Sequence, residues 1–289
     1  MTYDIFHRRG GGRRFRSRVA GATALVALFA AGMLVTLVGG AAAAASAVPL
    51  GTADSFAVLA GAGITNTGPT TVTGDLGTFP TTTMTGAASL TITGTNHAGD
   101  AVTQGAKTDL VTAYNAAAGE GPTSPIVADL GGQTLKPGVY NSASAIGLTG
   151  TLTLDAGGNP NAAFVFQAGS TLTTASASHV NLVNGAQSCN VYWQVGSSAT
   201  LGTGSSFRGT ILALTSITVT TGATVDGRVL ARNGAVTLDT NTITRPTCAK
   251  ATTTTAKTTT TATTPKKKVV TPKKHTTARP AKRHVGLTG

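Results

Sequence analysis

Ile217-Thr218-Val219-Thr220 and Val236-Thr237-Leu238-Asp239, which begin 19 residues apart, decide the fold. Each alternates an apolar residue with a polar one. A period of two is that of a strand, with Ile, Val and Leu on one side and Thr on the other. Thr151-Leu152-Thr153-Leu154 repeats the pattern. Between residues 48 and 249, 38 of 202 residues are threonine, whose β-branched side chain favours strands.

The strands recur. Leu154, Leu172, Leu201, Val219 and Leu238 form one candidate inward column, at separations of 18, 29, 18 and 19. Phe164, Val191, Ile211 and Val229 form a second, spaced 27, 20 and 18. A period near 18, with Gly, Asn and Ser between short strands, predicts a solenoid whose coils have three faces of about six residues each. The spacings of 27 and 29 predict one longer coil that bulges near Asn184–Ser188. A β-sandwich is the alternative, but it would give turn signals every 8–12 residues or so.

One segment differs. From Asn96 to Ala118, residues Ala98, Val102, Ala106, Leu110, Ala113, Tyr114 and Ala117 follow helical spacing. Thr95 or Asn96 can cap this helix and Gly119 can end it. Its stripe of small residues suits a helix lying close along one face of the solenoid.

Charged residues make up only 11% of the 289 residues, and aromatic ones 4%. A helical bundle would need far more Glu, Lys, Leu and Arg, and glycine has no strict period of three, which excludes collagen. The net charge of +12 divides unevenly: +5 in residues 1–47, −3 in 48–249 and +10 in 250–289. The basicity therefore belongs to the two ends, and no nucleic-acid partner is expected.

The start reads as a secretory signal, residues 1–47: Arg8, Arg9, Arg13, Arg14, Arg16 and Arg18, then the apolar run Val19 to Val38, then Ala45-Ser46-Ala47 as a cleavage site. An uncleaved membrane anchor is the other reading of that run. Arg13-Arg14-Phe15 hints at a twin-arginine route. The globular part spans 48–249. Its two cysteines, Cys189 and Cys248, predict a disulfide in an oxidising compartment. From Lys250 to Gly289, runs of Thr, Lys and Pro cannot bury a core. This basic tail reads as an attachment to anionic cell-wall polymer or a membrane surface, or as a solvated spacer. The expected location is extracellular, with retention at the cell wall through the tail.

Nothing points to catalysis or to a cofactor. The nine acids between 48 and 249 form no strand-borne pair. Asp226 and Arg228 flank a glycine and could pair, and Asp75 in Gly74-Asp75-Leu76-Gly77 suits an Asx turn. His97 and His179 lack a partner at metal-ligand spacing. Gly196-Ser197-Ser198 is not a nucleophile elbow, and the glycine-rich stretches lack the lysine of a phosphate loop.

Several longer motifs carry a resemblance. They are Leu50-Gly51-Thr52-Ala53-Asp54-Ser55-Phe56-Ala57-Val58-Leu59-Ala60, Asn66-Thr67-Gly68-Pro69-Thr70, Gly74-Asp75-Leu76-Gly77, Pro137-Gly138-Val139-Tyr140, Asn190-Val191-Tyr192-Trp193-Gln194-Val195-Gly196, and Gly227-Arg228-Val229-Leu230-Ala231-Arg232-Asn233-Gly234. In this order, from about Leu50 to Thr244, they resemble the microbial ice-binding protein family of secreted antifreeze proteins. The resemblance implies a mainly β fold: a discontinuous, right-handed, three-faced β-helix with one long α-helix packed alongside. The N-terminal segment would supply a coil at one end. It also implies a monomer whose partner is an ice surface.

Ice binders of this family carry a T-A/G-x-T/N pattern on a flat face. Thr203-Gly204-Ser205-Ser206 and Thr221-Gly222-Ala223-Thr224 resemble it, 18 residues apart. Thr174-Ala175-Ser176-Ala177 is a looser relative, and Asp239-Thr240-Asn241-Thr242 and Thr67-Gly68-Pro69-Thr70 add further coils. The candidate ice-contacting residues are thus Thr174, Thr203, Gly204, Ser206, Thr221, Gly222, Thr224, Thr242, Thr67 and Thr70. Any threonine-rich solenoid would carry such residues at its turns. A rival column is Thr200, Thr218 and Thr237, which the helix could cover. The competing functions are an adhesin or wall-associated structural protein, and a glycan-binding or glycan-cleaving solenoid.

Overall fold

The computed structural model of the chain describes residues 45–249. The expected signal segment and the basic tail lie outside the described residues, apart from Ala45, Ser46 and Ala47. All strand pairing is parallel, which excludes the antiparallel sandwich. The strands stack as eight rungs of a β-helix with three faces. One face has seven strands in the order Ile146–Leu148, Leu172–Thr174, Ala199–Leu201, Ile217–Val219, Val236–Asp239, Ile64–Thr67 and Met84–Thr85. The other two faces merge where Ser206–Ala213 and Thr224–Ala231 bend round an edge without a break. The bend passes through Gly209 and Gly227. A Cβ on Gly227 would lie 1.8 Å from the carbonyl oxygen of Gly209, so only glycine lets the two rungs stack there.

The rungs do not follow chain order. Phe56–Ala60 pairs with residues 227–231, Ile64–Thr67 with Val236–Asp239, and Thr70–Thr73 with Thr242–Thr244. The first strands of the chain thus sit on top of its last ones. Asp75–Thr78, Met84–Thr85 and Leu90–Ile92 add the outermost rung. A helix, Ala101–Gly119 (α1), then separates these rungs from the stack that starts at Thr123–Pro125.

The helix begins later than its spacing predicts. Ala98 and Gly99 take positive φ (40° and 85°), which stops the helix from extending back to Asn96. Asp100, not Thr95 or Asn96, is the cap and accepts the Thr103 N–H at 2.9 Å. Gly119 is the last helical residue. Gln167, from the sheet below, donates to the carbonyls of Ala117 and Glu120 at 2.8 and 3.0 Å, supplying partners that a helix end lacks. Ala106, Leu110, Ala113 and Tyr114 pack on Val139, Val165, Tyr192, Leu212 and Leu230. Strands under α1 are buried on both sides, whereas the seven-stranded face alternates buried and accessible residues.

The interior columns match the predicted ones in part. Leu201, Val219 and Leu238 share a column, but Leu172 belongs beside Ala199 and Ile217, and Leu154 lies on another face. Phe164 stacks on Val191, while Ile211 and Val229 align with Trp193. The alternation of strands is readable, but the residue count slips by two between Leu172 and Leu201 and between Val191 and Ile211. The bulge near Asn184–Ser188 is present, with a short turn at Ser188–Asn190, and residues 156–163 form a second one.

Candidate functional site

The outward residues of the seven-stranded face follow from register. Thr173, Thr200, Thr218, Thr237, Thr65 and Thr85 stand side by side on consecutive rungs, and Gly147 precedes them. Each strand places its middle side chain outward because its neighbours, such as Ile217 and Val219, are buried. Rungs are roughly 4.8 Å apart and alternate residues along a strand roughly 6.6 Å apart. Thr171, Ser198, Ser216 and Ala235 flank this file on successive rungs. Asp239, at the end of its strand, is the single ionisable residue within the seven strands. The helix does not cover Thr200, Thr218 and Thr237, because α1 lies on a different face, over Val165, Tyr192 and Leu212.

The candidate motifs lie at the corner where this face turns into the next. Gly204, Gly222 and Thr240 hold positive φ there (65°, 71° and 54°). Their N–H groups donate to Thr221, Asp239 and Thr67 carbonyls at 3.0, 3.1 and 3.0 Å. The motif therefore splits. Thr203 and Thr221 end the seven-stranded face, whereas Ser206, Thr224 and Thr242 begin the neighbouring one. The corner is also partly committed internally. The hydroxyls of Thr203 and Thr220 lie 3.3 Å apart, and Thr221 donates to the Asp239 carboxylate. The Thr221 and Thr240 hydroxyls hold the Asp239 carboxyl below the usual carboxylate range, so a negative charge sits at this edge.

Two candidates are not on the surface. Thr174 is 3% exposed, and its hydroxyl accepts the Gly202 N–H at 2.9 Å. The corner register places Ser176-Ala177-Ser178-His179 where Thr174-Ala175-Ser176-Ala177 was expected, two residues off. Thr70 is 1% exposed, and its hydroxyl accepts the Asn241 N–H at 3.0 Å. Pro69 adds one residue to that turn, so Thr71, not Thr70, pairs with Thr242 and points outward. Thr67 is exposed at the corner. Thr65, Thr85 and Thr173 were missed. The alternation in Ile64-Thr65-Asn66 and Leu172-Thr173-Thr174 could have found two of them, but no spacing reveals that Thr65 neighbours Thr237, because the first strands stack on the last ones.

The charges cluster elsewhere. Asp226 pairs with Arg208, and accepts the Ser188 hydroxyl at 2.6 Å. It does not pair with Arg228: both point outward, but the strand bends at Gly227, so the two lie on different faces of the solenoid. Arg228 is buried and binds Asp54 Oδ1 at 2.6 Å. His97 lies 2.8 Å from Asp100 and 3.6 Å from Asp75. The Asp75 carboxylate accepts the Thr95 N–H from the outermost rung, so it sits in a strand and not in a simple turn. The Lys136 ammonium, with Asn184 and the Gly157 N–H, draws the Asp155 carboxyl down to about 2. Among the described residues, no three His, Cys, Asp or Glu side chains are grouped to hold a metal ion. Cys189 and Cys248 form a disulfide with Cα atoms 5.9 Å apart. It lies at the edge between the other two faces, opposite the threonine file.

The family model described as ice-binding-like matches residues 58–244. An ice-binding protein of Nostoc sp. (strain HG1) is 49% identical over 209 residues, 72% of this chain and 77% of that protein. One from Colwellia sp is 39% identical over 220 residues, covering 70% and 85%. The crystal structure of an ice binding protein from an Antarctic biological consortium superimposes with a TM-score of 0.68 at 48% identity, over 70% of this chain and 92% of that one. By the family model over these residues and by relatives of this identity and coverage, the chain belongs to the ice-binding-like protein family.

Proposed function

We propose that this protein adsorbs to ice through the seven-stranded face and thereby inhibits ice recrystallisation. The observation that carries this reading is the file of six threonines, in register on adjacent rungs, on a face whose strands hold one ionisable residue. Ice is a fixed lattice of water, so its binder must be regular and stiff. The hydrogen-bonded ladder sets one repeat, the strand pleat sets the other, and the threonine χ1 has little freedom to lose. Methyl groups order adjacent water and hydroxyls can join the lattice. A charge would keep its own hydration shell, which makes the Asp239 corner a boundary of the contact. The neutral midline, rather than the corner motif, is the centre of this reading.

The test is a recrystallisation assay on the full chain. Ice grains should stay small at micromolar protein or below, and coarsening as in buffer would refute the reading.

The Cys189–Cys248 disulfide supports an oxidising, extracellular location. The ten cations of residues 250–289 support retention on anionic cell-wall polymer. Release from isolated walls by raised salt tests that retention, since screening weakens exposed charge pairs.

A further inference from the structure

The discontinuous topology creates a second regular threonine array on the neighbouring face. Three T-x-T segments lie far apart in sequence: Thr71-Val72-Thr73, Thr91-Ile92-Thr93 and Thr242-Ile243-Thr244. They occupy the last three rungs. Thr242 pairs with Thr71 and Thr244 with Thr73, and Thr71 in turn pairs with Thr91. The Thr93 N–H donates to the Val72 carbonyl at 2.9 Å, which brings Thr93 beside Thr73. Val72 and Ile243 are fully buried between the outward pairs. The result is two files of three threonines, roughly 4.8 Å apart between rungs and roughly 6.6 Å apart along each strand. Five of the six are exposed and Thr244 is half-buried. Their hydroxyls find no partner among the described residues, unlike those of Thr203 and Thr221.

We propose that this two-file array is a second ice-contacting surface, rotated from the first about the Asp239 corner. It rests on the ice-binding reading above. Its limits are set by charge. Thr224 continues the first file by one rung, but Asp226, paired with Arg208, ends the second. Further down the same face His179 interrupts the first file. Asp75 and Arg245 border the far edge. The neutral patch therefore covers the terminal rungs only and is smaller than the seven-stranded face. Because the two arrays lie on differently inclined faces of one solenoid, they cannot meet a single flat crystal plane together. The second array would add a separate set of ice planes.

The experiment uses full-length, fluorescently labelled protein on a single-crystal ice hemisphere, with recrystallisation assays alongside. Three variants are compared: Thr73→Tyr, Thr218→Tyr and the double variant. Circular dichroism checks that each melts like the parent, and Thr71→Tyr replaces Thr73→Tyr if that variant does not fold. Loss of one set of illuminated planes by Thr73→Tyr, with a three- to tenfold fall in potency, supports the proposal. So does residual adsorption by Thr218→Tyr that disappears in the double variant. Unchanged planes and potency in Thr73→Tyr, with Thr218→Tyr alone abolishing adsorption, would overturn it and leave the first face standing. Failure of the unsubstituted protein to adsorb would overturn both.

Discussion

Replacing Thr218 by tyrosine tests the seven-stranded face at its middle. Thr218 lies on the fourth of seven strands, with three rungs on either side. At roughly 4.8 Å per rung, the face is about 29 Å long from first to last strand. A phenol standing above the centre leaves two flat stretches of roughly 10 Å each and holds both away from a planar lattice. Contact length falls from seven rungs to three at best. Potency in the recrystallisation assay should fall at least about tenfold, which equals about 1.4 kcal/mol of adsorption free energy. Folding should hardly change. Thr218 faces outward and is half-buried by its neighbours; an outward substitution of this kind shifts stability by about 0.5 kcal/mol or less, and tyrosine also suits a strand. The melting midpoint should move by no more than about 2 °C. Asn115→Tyr, on the exposed side of α1, serves as the control and should keep full potency. Full potency in Thr218→Tyr, with loss in Asn115→Tyr, would refute the assignment of the face.

Asp54→Ala should strand the buried Arg228 guanidinium, whose carboxylate partner is Asp54. Asp54 is itself 58% exposed, and the guanidinium keeps the carbonyl of residue 54 and the Thr210 hydroxyl, so the loss should be about 1–2 kcal/mol, read as a lower midpoint in thermal unfolding; an unchanged midpoint would contradict this. Lys107 concerns pH. Its ammonium is buried between α1 and the carbonyls of Ala231 and Arg232, at 2.6 Å each, and burial, with Arg232 nearby, pushes its pKa from 10.5 down to about 8. Between these values the unfolded chain binds more protons than the folded one, so stability should rise with pH from about 8 to 10.5, by about 3 kcal/mol in all. The slope should vanish in Lys107→Met, and its persistence there would assign it to another group. Cys248→Ser opens a link between residues 59 apart, which should cost about 4 kcal/mol on a chain-entropy basis. Because the link lies on the edge away from the threonine file, recrystallisation inhibition below the melting range should not change.

The strands, their inward residues and the helix were legible because each carries its own periodicity. Ile217-Thr218-Val219 states which side is buried without reference to anything distant. Rung order was not legible, because it depends on pairings such as Thr65 with Thr237, which no local spacing encodes. The candidate site suffered most from that gap. The T-G-x-T segments were visible as motifs, yet the positive φ at Gly204 and Gly222 turns the chain within each motif. The first and last residues of each motif therefore face different ways. Thr174 and Thr70 show a subtler failure: composition marks them as surface residues, but their hydroxyls satisfy backbone N–H groups inside the corners.

The irregularities of this solenoid are segregated. The two longer coils depart from the repeat at 156–163 and at 184–190, both on the edge between the face under α1 and the face carrying Asp226. The disulfide and the Arg208–Asp226 and Arg228–Asp54 pairs gather along that same edge. A residue inserted there lengthens a loop and leaves the next strand free to re-enter in register. A residue inserted within Ala199–Leu201 or Ile217–Val219 would exchange the inner and outer sides of the strand, burying a threonine and exposing a valine or leucine. Core packing therefore keeps the strands of that face free of insertions, and a single extra residue is taken up at its corner, as at Pro69. The even outer surface that results suits the proposed contact with ice. The first strands of the chain extend the face past Val236–Asp239. Pairing Ile64–Thr67 there adds Thr65 and then Thr85 to the file, and the chain gains surface repeat without a longer coil.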